Sequence, residues 1–165
     1  SIMSSKAKKD KKVYDTRTTK ITYKGETRNV PKRYLPDSLK GKERTAQIKS
    51  IFEKKDRPKT SVKSRKSSYT IKFDKKYGDE IDKLKGGKTK KNIAKVSGIP
   101  FKAIDEVFKK GEGAYYSSGS RPNQTASSWA YGRTYAYIMG GKKVRKADEE
   151  ITKKYNVKFK VPTEK

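Results

Sequence analysis

The side chains in this 165-residue sequence that could do chemistry are lysine, arginine, tyrosine, serine and carboxylate, because it contains no histidine and no cysteine. That removes thiolate nucleophiles, a Ser-His-Asp triad, a histidine general base, zinc fingers and disulfides together. A metal would need oxygen ligands alone, and no run of the sequence gathers them. The acidic cluster Asp148, Glu149 and Glu150 stands before Ile151 and Tyr155 at helical spacing with Lys153 and Lys154 behind it. That order complements a helix dipole and explains the carboxylates structurally. No carboxylate pair divides into acid and base. The expectation is a chain that is not an enzyme and takes no cofactor and no small-molecule substrate.

What remains is cation chemistry. The chain carries 45 Lys+Arg against 18 Asp+Glu, a net charge of +27, which is most easily tolerated beside a polyanion such as nucleic acid or an acidic protein face. The candidate binding residues are Lys8, Lys9, Lys11 and Lys12 in the opening run, and Lys63, Arg65 and Lys66 in a Lys/Ser-rich stretch without periodicity. Further along come Lys90, Lys91 and Lys102, and then the cluster Lys142, Lys143, Arg145 and Lys146. Arg121 and Arg133, on either side of a helix start, suit an anion clamp; stacking on tyrosine and capping a loop carbonyl would suit them equally. Eleven tyrosines interleaved with lysine match the composition of single-strand binders. With only three leucines in the chain, most of those rings are needed as core.

The elements that must position these cations follow from local pattern. Residues 1–90 hold 29 Lys+Arg and 11 acidic residues against 16 and 7 in residues 91–165, so the first part reads as a basic arm. Within it Ile21, Tyr23, Thr27 and Val30 alternate around Lys24-Gly25, a hairpin signal, and Pro31 and Pro36 bracket KRYL as an extended connector. A helix capped by Asp37 or Ser38 carries Ile48, Ile51 and Phe52. Tyr69, Ile71 and Phe73 suit a strand, whereas Tyr69, Phe73 and Tyr77 suit a second helix, which is favoured because Ser67 or Ser68 would cap it and Gly78 would stop it. The expected divisions are an arm over 1–36, a Lys-rich helical and linker region over 37–88, and a compact helical module over 89–165.

That module opens with Thr89 as cap, Ile93 and Val96 on a short helix, Gly98 as a left-handed stop, and Pro100 starting a helix with Phe101, Ile104, Val107 and Phe108, which Gly111 ends. Ala94, Gly98 and Ile104 have the spacing of a helix-turn-helix, and a helical hairpin used only for packing has it too. Asp105 and Glu106 count against DNA reading, since they would face phosphates. Residues 111–123 read as a long Gly/Ser loop, followed by a central helix from Thr125 to Gly140-Gly141 with Trp129 as a buried anchor. A helix through Ala147, Ile151 and Tyr155 and a short strand through Val157, Phe159 and Val161 complete the chain. The fold class is therefore mainly α, a small helical module with a helix-turn-helix-like hairpin behind an extended basic arm.

The run SGIPFKAIDEVFKKGEGAYYSSGSRPNQTASSWAYGRTYAYIMGGKKVRKADEEI, with VPKRYLPDSLKGKERTAQIKSI upstream, resembles a poorly characterised basic family of nucleocytoplasmic large DNA viruses, phycodnaviruses among them, with shorter relatives in phages. The most specific block is Gly111 to Gly141. Arg133 and Tyr135 stand where relatives often carry a smaller, more aliphatic face. The resemblance implies a viral origin and a place in the particle, and transfers no catalytic residue. The expected function is that of a virion structural protein, a minor capsid-associated component on the interior side of the capsid, made in the host cytoplasm or nucleus. Its partners would be other capsid proteins and DNA bound without regard to sequence. The alternative is a DNA-binding or DNA-condensing protein that uses the helix-turn-helix. No apolar run approaches the ~18 residues of a membrane span and SIMSSKAKKDKK has no apolar core, so neither insertion nor export is expected.

Overall fold

A computed structural model describes residues 15–165. They form a mainly helical protein with one two-stranded antiparallel sheet ahead of the helices. Two compact units emerge: one contains the residues up to Lys63 together with Gly119–Asn123, the other Ser64–Ser118 together with Gln124–Lys165.

In the first unit β1 (Thr18–Tyr23) and β2 (Glu26–Pro31) pair from Thr18↔Pro31 to Tyr23↔Glu26. The two-residue loop Lys24-Gly25 has positive φ at both positions, 48° and 81°, the geometry that matches strand twist. Beyond β2 the expected extended connector is instead a 3-10 turn over Lys32–Tyr34, which buries Tyr34 and Leu35. The tight turn is favoured because it aims two large side chains inward where an extended KRYL would aim only one. Helix α1 (Gly41–Phe52) begins after Lys40 without a side-chain cap. Asp37 and Ser38 are exposed in the turn that buries Leu39, so neither is the expected cap. Val30, Tyr34, Leu35, Leu39, Ile51 and Phe52 make the core, with the Tyr23 ring 5.4 Å from Phe52.

The second unit holds α2 (Ser68–Asp82), α3 (Lys90–Ser97), α4 (Phe101–Ser118), α5 (Ala126–Ile138), α6 (Lys142–Ala147) and α7 (Glu149–Lys154). Three caps follow the sequence pattern. The Ser67 hydroxyl accepts from Thr70 N, the Thr89 hydroxyl accepts from Asn92 N, and Thr125 and Ser128 form a reciprocal capping box. Gly98, at φ 73°, closes α3 in the left-handed region as expected. Phe73, Tyr77 and Ile81 of α2 join Ile93, Ile104, Val107, Tyr135, Tyr137 and Ile138 in one core, with Phe73 stacked on Tyr135 at 4.5 Å. The module therefore starts at α2, upstream of residue 89, and α5 is its central helix, packed on α4, α2 and α6.

Five local expectations are corrected here. Helix α2 passes through Gly78 to bury Ile81, and α4 passes through Gly111 and Gly113 to Ser118, leaving a shorter loop. Gly111 faces α5, where a Cβ would lie 2.7 Å from Ala130 Cα; its missing side chain lets two helices touch. Trp129 is only half-buried, because the residue that α5 turns into this contact is Ala130, fully buried. The basic cluster after Gly141 is itself a helix, α6, broken from α7 at Asp148. The C-terminal stretch forms no strand. Val157 is buried and the Phe159 ring lies edge-on to Tyr137 at 5.1 Å. Among the described residues no helix is long and apolar enough to cross a membrane.

Candidate polyanion-binding surface

Lys8, Lys9, Lys11 and Lys12 lie outside the described residues. Of the other candidates, Lys63, Arg65, Lys91, Lys102, Lys142, Lys143 and Lys146 are exposed. Lys66 is exposed and reaches Asp74 at 3.7 Å. Lys90 is engaged: it pairs with Asp105 at 2.7 Å and its ammonium lies 4.6 Å from the Phe108 ring centre, which fixes the start of α3 to α4.

The arginines tell a different story. Arg145 is buried, and it belongs to the fold rather than to the binding surface. Its Nε donates to Tyr137 O at 2.8 Å, its Nη2 to Ile138 O at 2.9 Å and its Nη1 to the Thr163 hydroxyl at 3.0 Å, with the guanidinium carbon 3.6 Å from the Phe159 ring centre. The last carbonyls of α5 have no intrahelical donors, and Arg145 supplies them while clamping the C-terminal stretch. Burial pushes its pKa down, yet arginine keeps its charge across the physiological range. Arg133 is likewise committed. It grips Asp148 through Nε–Oδ2 at 3.1 Å and Nη2–Oδ1 at 2.7 Å, and Lys110 adds a third contact at 3.2 Å to this fully buried carboxylate. The expected clamp of Arg121 with Arg133 therefore loses its second member; Arg121 is half-buried.

The helix-turn-helix spacing is realised as α3, the Gly98 turn and α4. The residues of α4 that a groove reader would present include Asp105 and Glu106. Asp105 is held by Lys90 and by Lys109 at 2.9 Å, and hydrogen bonds from these two lysines lower its pKa. Glu106 is held below its ordinary value by a hydrogen bond from Tyr155 and by Lys154 at 3.3 Å. Both stay ionised near neutral pH, so this helix offers phosphates a mixed surface.

One block expected only as a loop makes specific main-chain contacts. In SRPNQT, Asn123 at φ 65° accepts from Thr60 N through Oδ1 at 2.6 Å and donates from Nδ2 to Val62 O at 2.6 Å. The amide imitates a strand partner and pins the Lys59–Lys63 stretch. This same region carries the family likeness: residues 37–156 match a family of unknown function, DUF5824. The chain belongs to that family. No curated protein and no solved structure matches it. The DUF5824 span runs from the turn before α1 through α7, so it contains Asn123, Gly111 and the Arg133–Asp148 pair. The hairpin and the C-terminal stretch that Arg145 clamps lie outside it.

Proposed function

We propose that this DUF5824 protein is a non-enzymatic structural protein that holds a polyanion by charge, without reading sequence. Following the viral resemblance of its Gly111–Gly141 block, that role is a minor capsid-associated component on the inner side of a virion, set between acidic capsid surfaces and the genome. The observation that carries the reading is how the carboxylates are used. Asp105 has two lysines, Asp148 an arginine and a lysine, Asp74 reaches both Lys66 and Lys88, and Glu53 reaches Lys24 and Lys55. These four acids are paired within the fold while Lys63, Arg65, Lys91, Lys102, Lys142 and Lys146 remain in solvent, so the charge excess is presented outward.

The second reading, a DNA-binding protein, draws on the α3–Gly98–α4 arrangement. The two separate in one titration of random and selected duplexes against salt. Charge-only binding falls linearly in log affinity with log salt, by about 0.9 per phosphate neutralised, and shows no preferred duplex. A selected duplex held ~10³-fold or more tighter than random DNA replaces this proposal with the helix-turn-helix reading. A chain that binds no polyanion at low salt refutes both.

A further inference from the structure

Phe101 is the first residue of α4 and is 48% exposed. It belongs neither to the core of its unit nor to the half-buried apolar side chains packed around that core. Lysines occupy or touch the same α3–α4 turn. Lys102 is its chain neighbour and exposed, and Lys95 is exposed on the last turn of α3. Lys160 Nζ donates to Val96 O at 3.0 Å, which holds its stem 3.2 Å from where a Cβ on Gly98 would sit. The nearby carboxylates Asp105 and Glu106 are already satisfied by Lys90, Lys109 and Lys154. The turn thus carries one half-exposed aromatic ring together with three lysines. Of the tyrosines, whose composition hinted at such a surface, Tyr34, Tyr77, Tyr115, Tyr135 and Tyr137 are buried.

We infer that Phe101 is a stacking platform for an unpaired base of single-stranded nucleic acid, with Lys95, Lys102 and Lys160 following the adjoining phosphates; this rests on the polyanion reading above. An aromatic face contributes where bases are unstacked and lysines track the backbone. In a duplex the bases already stack on one another, so the ring adds nothing to phosphate contacts. Charge complementarity selects this occupant over an apolar protein segment, which would gain nothing from the three lysines of this turn.

The test uses the full chain with an oligo-dT single strand and with the matching duplex, at one salt concentration. Phe101→Ala should weaken single-strand binding ~5- to 150-fold and leave duplex binding unchanged. Phe101→Trp should retain the affinity and gain a fluorescence signal that the single strand quenches. Ile71→Ala, which removes a 54% exposed aliphatic side chain flanked by Lys72 and Lys75, should change neither. If Phe101→Ala binds both nucleic acids like the wild type, or weakens both equally, the platform is wrong and the charge-based proposal stands. The platform is also wrong if Ile71→Ala weakens the single strand as much, or if Phe101→Ala instead abolishes self-association. If the wild type binds neither nucleic acid, both fail together.

Discussion

Substituting Gly111 sets two calculable effects against each other. Alanine in place of a mid-helix glycine stabilises a helix by about 1 kcal/mol. At Gly111 the new Cβ would lie 2.7 Å from Ala130 Cα and 3.2 Å from Ala130 Cβ, where carbon atoms need roughly 3.5–4.0 Å. The obstacle is backbone, so no rotamer change relieves it; α4 and α5 must separate by about 1 Å along their shared contact, at an overpacking cost of about 1–3 kcal/mol or somewhat more. Sterics offset or outweigh the propensity gain, and Gly111→Ala should lose up to about 2 kcal/mol net. In a unit of about 100 residues that lowers the thermal midpoint by up to about 15 °C. Gly113 lies on the same helix with nothing within 4 Å of a Cβ, so Gly113→Ala should gain about 0.5–1 kcal/mol. Circular dichroism melts and urea titrations of both variants read the difference. If Gly111→Ala stabilises as Gly113→Ala does, the close helix contact does not exist and the account of why α4 continues past Gly111 fails.

Removing the buried carboxylate with Asp148→Ala leaves Arg133 and Lys110 without their anion. The usual cost of about 3–5 kcal/mol falls to roughly 2–3 because those side chains remain 21% and 48% exposed, and a urea midpoint shift worth less than about 1 kcal/mol would contradict it. Asn123→Ala loses both main-chain contacts to the Lys59–Lys63 stretch and should cost about 1–3 kcal/mol while accelerating tryptic cleavage at Lys59 and Lys63; an unchanged digestion pattern would count against the pin. The Glu53 carboxyl is held down to about 2, first by the Tyr23 hydroxyl and then by Lys55. Its folded pKa lies below its unfolded one, so its contribution is complete above pH ~4.5 and is lost as pH falls toward ~2. Glu53→Gln should flatten that part of the stability–pH curve, and identical curves would refute the contact.

Features written in adjacent residues were legible. Lys24-Gly25 between alternating strands, Thr89 before a helix, Gly98 after one and Thr125 before α5 each act within a few residues, and each is found in its expected place. Features that depend on a distant partner were not. Gly111 looks locally like a helix stop, and only Ala130 makes it a contact point. Arg145 sits in a run with Lys142, Lys143 and Lys146 and is indistinguishable from them in sequence, until the carbonyls at the end of α5 draw it inside. Trp129 was misplaced by one position because a helix of small and aromatic residues has no single apolar stripe. Asn123 carries a weak signal: it is a residue tolerant of left-handed φ, following Arg121-Pro122. Its bond partners are some 60 residues upstream and no local pattern names them.

The first unit is not finished by its own stretch of chain. Gln47 Nε2, fully buried, needs Ser120 O at 3.1 Å as well as Tyr34 O at 3.2 Å, and Gly119 covers Ile51 and Tyr34. During synthesis, the hairpin and α1 leave the ribosome long before residues 119–123 exist, so their core waits, partly open, until α2, α3 and α4 have emerged. Closing so long a loop is slow although its thermodynamic cost grows only logarithmically. The hairpin and α1 therefore have a window of exposure before their core closes. A fragment ended at residue 63 would be arrested at that stage, with the Gln47 amide short of an acceptor and one face of Ile51 bare.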